Sequence, residues 1–151
     1  MSEHRASIAW KRESDDFSYA GYDRTHTWTF EGGARVKASA APEFQGDAAL
    51  VNPEEALAAA LSSCHMLTFL AIAARKRYVV DSYEDAAVAT LDKNAESRLA
   101  ITRVILRPRV VFSGEKRPDG PELEALHESA HRNCFIANSV RTELIVEPRQ
   151  E

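Results

Sequence analysis

Polar and apolar positions alternate in short runs at the two ends of the chain and merge into one long apolar block between them. Ser7–Trp10 is a brief apolar run that predicts a first strand. Lys11–Asp23 is polar, carries Ser14, Asp15, Asp16, Ser18 and Gly21, and reads as an irregular connection. Thr25–Glu31 and Ala34–Ser39 flank Gly32 and Gly33, which tolerate the positive φ of a two-residue turn, so these runs are expected to pair as a hairpin. Ala40–Val51, with Pro42 and Gly46, reads as a loop of about a dozen residues, a length at which ordered loops are often functional.

The apolar block follows. Asn52 is an N-cap residue, Pro53 suits the first helical position, and Glu54 and Glu55 place negative charge where the helix dipole favours it. Glu55 can close a capping box onto Asn52. Arg75, Lys76 and Arg77 supply the opposite charge at the far end, and from Ala56 to Ala74 only His65 can carry charge. The spacing predicts a helix over about 53–76 that is apolar nearly all round and therefore buried on every side. Its length would span a bilayer, but its alanines and Ser62, Ser63, Cys64, His65 and Thr68 dilute its centre, so a buried core helix is expected.

Beyond the helix, Val79–Leu91 reads as a strand with a turn at 92–97, and Leu99–Phe112 as a longer one interrupted at Pro108. A second helix is expected over Glu122–Arg132. Asn133 would break it and cap a short helix from Cys134 to about Val140, before a last strand at Arg141–Pro148. Strands before and after helices indicate an α+β fold with antiparallel sheets wrapped around a long central helix, a single domain over 1–151. Its N-terminal strands lie at about 6–40 and its C-terminal strands and helices at about 79–148. One layer of strands covers one side of such a helix; the other side calls for a second copy in a two-fold dimer.

Composition narrows the function. A net charge of −4 and the lack of a basic stripe with aromatics argue against nucleic acid, and 44% hydrophobic with 28% charged residues is ordinary for a globular protein. Two cysteines seventy positions apart make no disulfide framework, and no secretory leader is read, so a reducing cytoplasm is expected.

The candidate chemistry lies in the thiols. Cys64 breaks the apolar run inside a Ser62-Ser63-Cys64-His65 patch, a poor way to fill a core. Cys134, placed at a helix start, would gain from unpaired N–H groups and the dipole. Local physics alone thus nominates Cys134 as the better thiolate, because burial keeps a mid-helix Cys64 protonated. Cys64 becomes a nucleophile only if a cation or several donors reach it, and an arginine is the natural candidate. His127, His131 and Cys134 fall at i, i+4 and i+7 and could share a helix face as zinc ligands, though a break at Asn133 spoils it. Glu54 and Glu55 are fully explained as capping residues. Ten residues of helix, about 15 Å of rise, separate Glu54 from Cys64, so Glu54 would reach such a site across a dimer interface.

Asn52-Pro53-Glu54-Glu55-Ala56-Leu57, Cys64 seven residues on, and Ala130-His131-Arg132-Asn133-Cys134 together resemble the two cysteine motifs of the OsmC/Ohr family, the osmotically inducible and organic hydroperoxide resistance proteins. The resemblance runs from about Trp10 to Pro148. It implies an intertwined homodimer with sites at the interface and thiol peroxidase chemistry with no metal or organic cofactor. Cys64 matches the peroxide-reactive cysteine, Cys134 the resolving one, and Glu54 the glutamate that pairs with an arginine. The family position of that arginine points to Arg24, with Arg35 the alternative. Two departures indicate an OsmC-like subgroup: Phe135 stands where the hydroperoxide group has proline, and the segment before Arg24 is longer and more acidic.

The expected reaction is reduction of an organic hydroperoxide to its alcohol through a Cys64 sulfenic acid and a Cys64–Cys134 disulfide, reopened by an external dithiol. Leu61, Met66 and Phe69 would give the site its preference for apolar peroxides. The alternatives are a non-catalytic dimeric small-ligand-binding or stress protein with structural cysteines, and a zinc protein.

Overall fold

The computed structural model describes residues 1–149, which form two compact units, the first Met1–Ala56 and the second beginning at Leu57. In the first, β1 (Ala6–Ala9), β2 (His26–Phe30) and β3 (Arg35–Ala38) form an antiparallel sheet in the order β1-β2-β3. The β2–β3 hairpin differs from the expected two-residue turn. The Gly33 N–H donates to the Phe30 carbonyl and the Phe30 N–H to that of Ala34, both at 2.9 Å, which closes a three-residue loop. Gly33 sits at φ +89°, the left-handed position such a loop requires. The 40–51 loop contains a 3-10 turn at Pro42–Phe44 and is tied down where the Ser39 N–H donates to the Val51 carbonyl at 2.9 Å. Gly46 passes so close to Ala40 that a Cβ would lie 1.6 Å from its carbonyl oxygen, so only glycine fits.

Helix α1 spans Pro53–Arg75, one residue short of its predicted end. The capping box forms as read: Asn52 Oδ1 accepts from the Glu55 N–H at 2.8 Å, and Glu55 Oε2 from the Asn52 N–H at 3.1 Å. At the other end Arg77 adopts φ +63°, and the Tyr78 and Arg77 N–H groups donate to Ala73 and Ala74 in a Schellman closure. The helix is not buried all round. Ala58, Leu61, His65, Phe69 and Ala73 form one inward stripe, while Leu67 on the outer side is 61% exposed. By length and composition α1 could cross a membrane, but its inner stripe is the core of the second unit.

The two long strands predicted after α1 are each split. Their parts are β4 (Val79–Glu84) and β5 (Val88–Lys93), then β6 (Leu99–Leu106) and β7 (Arg109–Ser113). β4 pairs with β7 in one sheet; β5, β6 and β8 (Glu143–Val146) make another. Both breaks lie at one corner. Asp85 accepts the Arg107 N–H at 2.6 Å and the Ser62 hydroxyl, and Pro108 has no N–H to continue a ladder. The sheets are antiparallel except for β8, which runs parallel to β6. Phe69, Ala73, Tyr78, Val110, Phe112, Leu126 and Ala130 form one core cluster, and Leu61, Val104 and Leu106 a second.

Helix α2 runs Gly120–Asn133 from a capping box between Asp119 and Glu122. Asn133 therefore does not break it early. Cys134 is its C-cap, in extended conformation, and only a 3-10 turn at Ala137–Ser139 follows in place of the predicted short helix.

Candidate active site

The end of α2 decides the state of both thiols. Since α2 continues through Asn133, Cys134 lies at a helix C-terminus, where the dipole opposes a thiolate, and is fully buried. Burial and the neighbouring Cys64 push its thiol up to about 11, with the N–H groups of Ala137 and Ile136 offsetting only part. The expectation that Cys134 is the better thiolate is thereby overturned. Burial also raises the Cys64 thiol, but the Ile136 N–H, the Cys134 thiol and the Phe135 N–H outweigh it and leave Cys64 below the ordinary thiol value. The Thr68 hydroxyl donates its proton to the Cys64 carbonyl at 2.8 Å. The two thiols, seventy positions apart in sequence, act on each other's ionisation, and both are free.

Cys64 opens on a cavity of about 880 Å³ lined by the outer side of α1, including Ala60, Leu67 and Ile72, and by Phe135 and Ile136. The apolar wall comes from these residues. Leu61 and Phe69, expected around the thiol, point the other way and are fully buried in the core. Phe135, 81% exposed, stands at the rim.

Arg24 and Glu54 lie in the first unit. The Arg24 guanidinium donates to the carbonyls of Tyr22 at 2.8 Å and Tyr19 at 2.6 Å and lies 3.9 Å from the Tyr22 ring centre. It is 8% exposed and lines a cavity of about 480 Å³ with Trp10, Phe17, Tyr22 and His26. The ion pairs among the described residues join Arg5, Arg98 and Arg107 to glutamates and do not include Arg24. Glu54 Oε2 is buried with no hydrogen-bond partner. Arg35 is exposed on β3.

The histidines do not form a donor set with Cys134. His127 turns inward to stack on His65, with ring centres 5.5 Å apart and His65 Nε2 3.1 Å from His127 Nδ1. Among the described residues no group of three or more His, Cys, Asp or Glu side chains gathers as metal ligands. Desolvation lowers His65, helped by His131 and opposed by Asp85, and lowers His127, helped by His65; each falls to about 4. Both rings are therefore neutral at pH 7. What the sequence did not reveal is this pair and the donors on Cys64, since both depend on segments more than sixty residues away.

Comparison with known proteins agrees with this architecture. The family model for OsmC-like proteins matches residues 46–149. An OsmC-like protein of unknown function from Vibrio cholerae is 52% identical, covers 99% of this chain and 100% of its own, and superposes with a TM-score of 0.95. Two more distant structures share the fold: an organic hydroperoxide resistance protein OsmC from Legionella pneumophila (17% identity, 100% and 98% coverage, TM-score 0.69) and the organic hydroperoxide resistance protein OhrB of Bacillus subtilis (18%, 99% and 98%, TM-score 0.68). No curated protein matches the chain by sequence. With its cysteine-centred helix, corner-split sheets and family match across residues 46–149, the chain belongs to the OsmC-like family.

Proposed function

We propose that the protein is a cytoplasmic, homodimeric thiol peroxidase that reduces organic hydroperoxides. The observation that carries this reading is the asymmetric thiol pair at an apolar cavity: Cys64 is held below the ordinary thiol value and Cys134 beside it at about 11. The Cys64 thiolate attacks the O–O bond; ROOH and one proton become ROH, and the sulfur becomes a sulfenic acid. Cys134 then condenses with it, its thiol proton leaving with the hydroxyl as water, and an external dithiol reduces the resulting disulfide. Arg24 orients the peroxide and Glu54 holds its guanidinium; the unpartnered Glu54 Oε2 supports this role. A second copy of the chain covers the outer side of α1, where Leu67 and Phe135 are exposed, and the cavity becomes a pocket at the interface.

The test is to mix reduced protein with cumene hydroperoxide and follow peroxide and free thiols together. Wild type loses two thiols per chain and one peroxide. Cys64→Ser loses neither. Equal peroxide consumption by wild type and Cys64→Ser rejects the assignment, and no consumption by either leaves the small-ligand-binding dimer as the better reading. Sedimentation velocity of the same samples tests the dimer.

A further inference from the structure

We propose that the first unit carries the subsite for the organic group of the peroxide, and that its aromatic walls select aryl hydroperoxides over saturated ones. The proposal rests on the reading in which Arg24 orients the peroxide. The O–O group then lies at the guanidinium, and the organic group meets what surrounds it. Those surroundings are aromatic. The cavity of about 480 Å³ beside Arg24 is walled by Ile8, Trp10, Phe17, Tyr22 and Pro53, a size ordinary for a small-molecule site. Trp10, Phe17 and Tyr22 meet in a triangle. Their ring centres lie 5.9 Å apart for Trp10–Phe17, 6.3 Å for Trp10–Tyr22 and 5.4 Å for Phe17–Tyr22, all tilted or edge-on. Trp10 and Phe17 remain exposed, Phe17 by 64%, so the triangle fills no core and leaves apolar surface open to a ligand.

Both the rings and the cation are fixed in advance. The Trp10 indole donates to the Asp23 carbonyl at 2.7 Å and ties together the two ends of the 11–23 segment. Within that segment Asp16 Oδ1 accepts the Ser18 N–H at 2.8 Å, and Gly21 lies so close to Asp16 that a Cβ would meet its Oδ2 at 1.7 Å. The Arg24 guanidinium spends two of its N–H donors on the Tyr22 and Tyr19 carbonyls, which leaves the others for Glu54 and the peroxide oxygens. Behind it, Trp28 Nε1 donates to His26 Nε2 at 2.8 Å. An indole only donates, so the imidazole proton sits on Nδ1 and is given to the Arg24 carbonyl, also at 2.8 Å. Arg24, His26 and Trp28 thus form one hydrogen-bonded chain into β2. A ring entering this cavity gains edge and offset contacts that a saturated group of equal size does not, at little cost in ordering the walls.

The probes are cumene hydroperoxide and its ring-saturated counterpart, 2-cyclohexylpropan-2-yl hydroperoxide, which differ only in the ring. The full chain should turn over the aryl peroxide with a kcat/KM about tenfold higher, the difference lying in KM. Phe17→Leu keeps apolar bulk at an exposed position and should bring the two peroxides within about twofold, whereas Phe17→Tyr should keep the preference. Equal kcat/KM for both peroxides in wild type, or an undiminished preference in Phe17→Leu, overturns the proposal and leaves the peroxidase reading standing. The product alcohol 2-phenylpropan-2-ol tests the subsite without chemistry. It should quench Trp10 emission, with the signal lost in Trp10→Phe and the affinity about tenfold weaker in Phe17→Leu. Absence of quenching in wild type overturns the proposal, whereas quenching in a protein inert to peroxide supports the aryl site and rejects the peroxidase.

Discussion

Lowering the pH from 7.5 to 4.5 should destabilise the second unit through the buried pair His65 and His127. Their relative exposures are 0% and 4%, and both titrate near 4 in the folded chain against 6.5 as free side chains. The unfolded chain therefore binds protons that the folded one refuses. Stability is complete above about pH 6.5 and is lost as pH falls towards 4. At 1.36 kcal/mol per unit, each ring accounts for about 2.5 kcal/mol at pH 4.5, and the coupled pair for on the order of 3–5 kcal/mol. That is a large share of the 5–15 kcal/mol typical of a domain. The groups facing the pair are His131, which adds repulsion, and Asp85, which partly relieves it. Urea unfolding followed by far-UV circular dichroism reads α1 directly, whereas tryptophan fluorescence does not, because Trp10 and Trp28 both lie in the first unit. His127→Leu lowers stability at pH 7.5 by about 1–3 kcal/mol, because His65 Nε2 loses its partner. The same variant should show about half the pH-dependent loss, and subtracting the curves removes the contribution of carboxylates. A wild-type stability flat between pH 7.5 and 5, or an undiminished slope in His127→Leu, would refute the reasoning.

Other consequences are as direct. Iodoacetamide at pH 8 should label Cys64 and spare Cys134, whose thiol is buried and raised to about 11; equal labelling by peptide mapping would contradict the asymmetry. Leu61→Ala should cost about 2–5 kcal/mol in urea unfolding, because Leu61 is fully buried against Val104 and Leu106. Asp85→Ala strands the Arg107 N–H at the sheet corner and should cost about 1–3 kcal/mol, and Asp85→Asn, which keeps an acceptor, should cost less.

Where the sequence was legible, the determinants were local. The start of α1 was visible because Asn52, Pro53 and Glu55 act within one turn of each other, and its end because Arg75–Arg77 follow at once. Pro108 carries a signal, but alone it marks only an interruption within one strand. The split into β6 and β7 depends on Asp85 reaching Arg107 from twenty-two positions away, which no local pattern encodes. The site failed to show itself in the same way. A one-residue extension of α2 moved Cys134 from a predicted helix start to a helix end and reversed its electrostatics. The donors that favour Cys64 belong to Phe135 and Ile136, and their backbone N–H groups are present whatever the side chain. The side chain of Phe135 marks only a departure from proline and says nothing of its amide. His65 and His127 are sixty-two positions apart, so their pairing is visible only in three dimensions.

The parallel pairing of β8 with β6 bears on how the chain acquires its structure. The β5–β6 hairpin closes through a short turn at Asn94–Ser97 and is available early. β8 meets β6 about forty residues upstream, after β7 and α2 have intervened, so its loop-closure entropy is the larger and its contacts form late. Leu144 and Val146, which pack against the cluster around Leu61, arrive with it. Until then Leu61 lacks part of its cover, three residues from the Cys64 thiol. A nascent or partly unfolded chain would therefore expose Cys64 to oxidants, and refolding yield should depend on reductant during that slow step.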